Sequence, residues 1–225
     1  MIKGIATVKK KAGMADDEFH RYWRQTHGPL ALRMSVLRRY IQSHRTTDVF
    51  PGFENCDYDG VAEIWFDDLQ TLRGLPDDPE YANHAMADEP NFVEMDALSF
   101  LATTEHVFID EAADAAPKIK AIFLLKRLPG MSVSDFQTYW REQHAPQIPR
   151  DAGVLRYVQC HQMPEQYEGE EPLFDGVAEL AFADYQAFMD YWTSERIQAI
   201  FAADAPKFLD AEGCTAFLAQ EYHLR

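Results

Sequence analysis

The stretch YWRQTHGPL, Tyr22–Leu30, returns as YWREQHAPQ, Tyr139–Gln147. At the same offset Gly13-Met14 matches Gly130-Met131, Phe19 matches Phe136, and RYIQSH (Arg39–His44) matches RYVQCH (Arg156–His161). One residue is then lost in a loop, after which DGVAEIWF (Asp59–Phe66) matches DGVAELAF (Asp175–Phe182), Phe92 matches Phe208 and Glu105 matches Glu221. A period of this length is far beyond a solenoid repeat; it is a duplicated domain of roughly a hundred residues. The copies are expected at 1–108 and 117–225. The stretch between them, 109–116 (IDEAADAA), reads as an Ala/acidic linker.

Within each copy the pattern predicts a fixed order of elements. IKGIATVK and IKAIFLLK are β-branched, apolar runs that read as first strands. Turns at Gly13 and Pro129–Ser132 precede a helix, with Asp16 or Asp17 and Ser132 as expected N-caps. Phe19, Tyr22, Trp23 and Leu30 make its apolar stripe. Pro29 and Pro146 are expected to end it near His27 and His144. Two strands follow, then helical regions through Leu69–Ala87 and Tyr185–Ala203, then the closing strands LSFLATTEHVF and CTAFLAQEYHL. The order βαββαβ is a ferredoxin-like unit of the α+β class. Its sheet has helices on one face only. Two units in one chain are therefore expected to form a pseudo-dimeric α+β barrel, with a monomer or a homodimer both compatible with that arrangement.

Acidic residues outnumber basic ones, 37 against 21, for a formal charge of −16. That balance argues against nucleic acid or an anionic membrane as partner, since both demand positive potential. No apolar stretch approaches the length of a spanning helix, and no secretory leader is visible. Cys56, Cys160 and Cys214 are odd in number and widely spaced, which fits free thiols in a reducing cytoplasm. No metal-ligand spacing, nucleotide fingerprint or P-loop is present, and neither a metal nor another cofactor is expected.

Four histidines are the candidates for chemistry. His27 and His144 fall on the shoulder of the helix stripe, where the helix C-terminus favours the imidazolium and burial the neutral ring. Such a group suits general acid/base work, or else caps carbonyls and packs on Trp23. On the second strand Tyr40, Gln42 and His44 share a face, as do Tyr157, Gln159 and His161. They read as a pocket with His as acid/base, Tyr as oxyanion donor and Gln as an orienting group, or as a solvated sheet face. Trp23, Trp65 and Trp140 would wall a flat substrate. Asp59 and Asp175 either fix a histidine tautomer or serve as strand-start turn residues. Glu63 and Glu179 are expected to pair with Arg39 and Arg156.

The runs KRLPGMSVSDFQTYWREQHAP, RYVQCH and FDGVAELAF resemble the EthD family of the dimeric α+β barrel superfamily, and the first copy resembles it more loosely. The resemblance covers nearly the whole chain. It implies a cofactor-independent enzyme on a small aromatic or polyketide-like molecule, of decarboxylase, dehydratase or cyclase type. His27, His44, His144 and His161 are its implied acid/base groups, with Tyr40 and Tyr157 as donors. Its Glu-His on the fourth strand is kept at Glu105-His106 but reads Glu221-Tyr222 in the second copy. The alternatives are a cofactor-free monooxygenase on a phenol and a non-catalytic ligand-binding accessory protein of a catabolic cluster.

Overall fold

The computed structural model describes residues 1–111, 117–169 and 171–225. Eight strands carry the fold: β1 Ile2–Val8, β2 Arg39–Arg45, β3 Gly60–Phe66, β4 Ser99–Asp110, β5 Ile119–Leu125, β6 Arg156–Gln162, β7 Gly176–Phe182 and β8 Thr215–His223. The strands are hydrogen-bonded in the order β1-β3-β2 in one part of the chain and β8-β5-β7-β6-β4 in the other. The fold class is α+β, two βαββαβ copies in one chain, as the repeat implies.

By contact the chain divides into two compact units that do not follow the repeat boundaries. One comprises Met1–Arg45, Asp57–Ala102 and Glu221–Arg225; the other comprises Thr46–Cys56 and Thr103–Gln220. In the first unit β3 pairs antiparallel with both β1 and β2, Ile5 opposite Glu63 and Ile41 opposite the same residue. In the second, β7 pairs with β5 and β6, β5 with β8, and β6 with β4. Every residue of β5 and of β7 is buried, which explains why their sequences run apolar except for the paired Lys120 and Glu179. The predicted linker starts too early. Ile109 and Asp110 are the last residues of β4, and Ile109 is buried and paired with Tyr157 beyond a register shift. Residues 112–116 lie outside the described residues.

The helices are α1 Asp16–Tyr22, α2 Gly28–Ala31, α3 Leu69–Arg73, α4 Met86–Asp88, α5 Val133–Tyr139, α6 Tyr185–Trp192 and α7 Glu195–Asp204. Ser132 caps α5 by accepting from the Asp135 N–H at 3.0 Å. Asp16 and Asp17 are not caps. They are the first residues of α1, and Asp16 instead pairs with Lys10 at 2.8 Å. Nor does the helix stop at the histidines. Residues Trp23–His27 and Trp140–His144 form a widened π turn in which Gly28 and Ala145 donate back to the Trp23 and Trp140 carbonyls. Pro29 and Pro146 then sit in the first turn of the next helical segment, where a missing N–H costs nothing. The region Leu69–Ala87 is broken into short pieces around Pro76, whereas α6 and α7 are regular.

Each Trp of the π turn lies on the start of a strand. A Cβ on Gly176 would come within 2.6 Å of Trp140 Cζ3 and 2.8 Å of the Cys160 carbonyl; Gly60 meets Trp23 Cζ3 and the Ser43 carbonyl in the same way. Glycine is therefore required where indole and backbone approach so closely. The buried carboxylates Glu63 and Glu179 pair with Lys3 at 2.8 Å and Lys120 at 3.1 Å, rather than with Arg39 and Arg156. Register alone admits either partner, since Lys3 and Arg39 both lie opposite Trp65, and Lys120 and Arg156 both lie opposite Ala181, on the two strands that flank those of the glutamates.

Candidate active site

In the second unit His144 is buried, and its Nδ1–H donates to Asp204 Oδ2 at 2.8 Å. The Asp204 carboxylate also accepts from the Tyr139 hydroxyl at 2.6 Å and from Lys207 at 3.4 Å. Burial works against its ionisation, yet hydrogen bonds from Tyr139, His144 and Gln147 hold its pKa at about 2. Burial also lowers the pKa of His144, and the Asp204 hydrogen bond and charge only partly oppose it. The ring is thus neutral at neutral pH, with its proton fixed on Nδ1 and a lone pair on Nε2.

The ring lines a cavity of about 460 Å³ between strands β5–β7 and the helices that cover them. Its walls are mostly apolar: Phe123, Leu125 and Leu180 from the strands, Trp140, Trp192 and Phe201 from the helices, and Phe53 from the β2–β3 loop. Tyr157, Asp210, Cys214 and Thr215 also border it. Burial pushes the Cys214 thiol up to about 11, so it is not a thiolate.

Tyr157, Gln159 and His161 do share a face of β6, but as a chain of hydrogen bonds with a fixed direction. The Trp140 carbonyl can only accept, so the Gln159 atom 3.0 Å from it is the NH₂, which also donates to Tyr157 Oη at 2.7 Å. Gln159 Oε1 then faces His161 Nε2 at 2.9 Å, which must carry the proton. The Tyr157 hydroxyl, with a lone pair already engaged, keeps its own proton to donate. His161 stacks on Trp140 at 4.5 Å and its Nδ1 is buried without a partner. Burial, with the charges of His106 and Arg141, lowers its pKa to about 3. His161 does not line the cavity that His144 borders; Trp140 lies against it and walls the cavity.

The first unit repeats the plan. His27 pairs with Asp88 at 3.1 Å, and Asp88 accepts from Tyr22 and Asn91. Gln42 donates to the Trp23 carbonyl and to Tyr40, and accepts from His44. There His44 Nδ1 is bonded to His20 at 2.8 Å, where the second copy has Gln137. The position of cavity-lining Ala205 is Glu89, whose carboxyl accepts from Tyr81 at 3.1 Å. Burial and the charge of Asp88 push Glu89 up to about 7, against the Tyr81 bond.

Three sequence-based candidates lie elsewhere. Asp59 binds the Lys10 N–H and Arg45, and Asp175 binds Arg127 and Tyr167, so neither orients a histidine. These carboxylates tie a strand start to the end of β1 or β5. Trp65 lies under Lys3 and Arg39 in the first unit, away from His27. The residues that do orient the histidines, Asp88 and Asp204, were legible as a repeated Asp-x-Pro-x-Phe, DEPNF and DAPKF, of which the sequence reading used only the Phe. Among the described residues no group of three or more His, Cys, Asp or Glu could hold a metal ion, and no helix is long and apolar enough to cross a membrane.

Comparison with known proteins places these features. A decarboxylase from Aspergillus novofumigatus, nsrE, is 25% identical over 97 residues, covering 38% of this chain; the chain spans 64% of that relative's length. An anthrone oxidase-like protein shares the fold with a TM-score of 0.64 at 9% identity, over 99% of this chain and 93% of its own. A variant of the chlorite dismutase from Candidatus Nitrospira defluvii does so with a TM-score of 0.53 at 8% identity, over 99% and 91%. The EthD domain model matches residues 11–96 and again 128–212, most of the chain. With both copies matched, the chain belongs to the EthD domain family and carries that domain twice.

Proposed function

We propose that this protein is an enzyme of lyase type that acts on a small hydroxylated aromatic, with no cofactor, through His144 in its second unit. The observation that carries this reading is a neutral histidine, its tautomer held by Asp204, bordering an apolar cavity large enough for a fused-ring molecule. The decarboxylase relative is consistent with it.

For an ortho-hydroxy aromatic acid the steps balance as follows. His144 Nε2 takes the phenol proton, and the Tyr157 hydroxyl donates to the phenolate oxygen. The imidazolium returns that proton to the ring carbon bearing the carboxylate. The C–C bond then breaks, its electron pair restores the aromatic ring, CO₂ leaves, and the phenolate takes a proton from water. In the first unit Asp88 holds His27 and Gln42 holds His44 in the same way, while His44 has the further partner His20. The carboxyl of Glu89 at the counterpart of Ala205 makes that environment less suited to an apolar ring, so the second unit is the working copy in this reading.

The test is turnover of 2-hydroxy-1-naphthoate with and without oxygen. CO₂ release at equal rates in both is expected; oxygen uptake matching product would replace the lyase by the monooxygenase reading. Tyr157→Phe is expected to lower kcat by about 10²-fold with little change in KM, the loss of one oxyanion donor. An unchanged kcat would remove Tyr157 from the mechanism.

A further inference from the structure

The β2–β3 loop belongs to the first copy by sequence, but Thr46–Cys56 is part of the second unit. The corresponding loop of the second copy stays with its own unit, so the transfer is one-sided. Within the loop FPGF, Phe50–Phe53, forms a type II turn. Phe53 N–H donates to the Phe50 carbonyl at 2.9 Å, Pro51 takes the first central position and Gly52 has φ +91°. The turn aims two rings in different directions. Phe50 is 3% exposed and packs on Phe123, Phe188 and Trp192, with centroids 4.8–5.2 Å away. Phe53 lines the cavity that His144 borders.

The loop is held from outside as well. The Trp192 indole donates to the Pro51 carbonyl at 3.0 Å, and the Tyr185 hydroxyl donates to the Val49 carbonyl at 3.0 Å. Trp192 is itself a cavity wall, and its counterpart in the first copy is Pro76, which has neither an indole nor an N–H to donate. This difference between the copies is thus a clamp on the first copy's loop.

We propose that the FPGF turn of the first copy is the specificity wall of the second copy's cavity, with Phe53 setting the length of the aromatic ligand admitted and Trp192 holding the turn in place. This accounts for a tandem chain whose two halves have diverged: one copy supplies the cavity and the other a piece of its wall. The inference rests on the cavity being the substrate site. Its test therefore uses hydrocarbons with no ionisable group, which report shape and not acid/base chemistry.

Binding of toluene, naphthalene and fluorene to the full chain is measured by fluorescence and calorimetry for the wild type, Phe53→Ala and Phe53→Trp. Phe53→Trp is expected to weaken naphthalene and fluorene about tenfold or more while changing toluene less than about threefold. Phe53→Ala is expected to raise the fluorene-to-naphthalene affinity ratio about tenfold. Trp192→Phe removes the hydrogen bond and keeps an aromatic wall. It is expected to lower selectivity among the three ligands without abolishing binding. Phe50→Ala separates wall from anchor, because it should lower thermal stability, whereas Phe53→Ala should not. Equal size ratios in the wild type and both Phe53 variants would overturn the proposal, as would a wild type that takes up none of the three. If the ratios shift as expected while 2-hydroxy-1-naphthoate is not turned over, the wall stands and the lyase reading falls.

Discussion

Replacing His144 with glutamine lowers kcat on a hydroxyaryl acid by about 10²–10⁴-fold, the range supplied by a positioned proton-transfer group. His27→Gln, which removes the same contact in the first unit, leaves turnover within about threefold if only the second unit works. Circular dichroism and thermal unfolding should show both variants folded, because glutamine fills much of the ring's volume and its amide can still donate to the aspartate. Asp204→Asn adds a discriminating measurement. An uncharged amide no longer stabilises the imidazolium and no longer fixes which nitrogen carries the proton. Its kcat should fall by at least about 10²-fold, and the lower pH limit of kcat/KM should move to more acid values. The Asp204 charge raises the His144 pKa against burial, so its removal lowers that pKa further. If His27→Gln abolishes turnover and His144→Gln spares it, the assignment of the working copy is reversed.

Acid should destabilise the protein well above the range in which carboxylates titrate. His44 and His161 are each driven down to about 3, chiefly by burial, from an ordinary value of 6.5. Their folded pKa lies below the unfolded one, so the stabilisation is fully present above pH 6.5. It is lost as pH falls toward 3, because the unfolded chain takes up protons that the folded chain refuses. Each such histidine removes about 1.4 kcal/mol per pH unit within that window. Buried His27 and His144, also lowered, act in the same direction. Urea midpoints measured from pH 7 to pH 4.5 should therefore fall steeply. His161→Gln should flatten the slope by about a third to a half, while Asp88 and Asp204 contribute only below pH 4. A midpoint that is level between pH 7 and pH 4.5 would show that these rings protonate in place.

The two copies, the order of elements within each and the α+β class were all visible in the sequence, because a duplicated sequence aligns with itself and because strand and helix periods differ. The shared face of Tyr157, Gln159 and His161 was equally visible from alternation. What alternation could not show is which neighbour each group would meet. His161 stacks on Trp140 and donates from Nε2 to Gln159 Oε1, outside the cavity that His144 borders. Asp175 was weighed as the tautomer-fixing carboxylate, but the strand-start position sends it to Arg127 and Tyr167.

The sequence by itself determined that one domain is written twice, that each copy carries a histidine on the shoulder of its first helix's apolar stripe, and that cores rich in Phe and Trp would lie beside it. These follow from local periodicity and from matching residues to themselves. Tertiary structure decided which carboxylate holds that histidine, since Asp204 comes from the end of a helix some 60 residues away in sequence. It also decided that Phe53 of the first copy walls a cavity of the second unit. Both are long-range encounters, set by how strands register and helices pack, and no pattern confined to a single element encodes them.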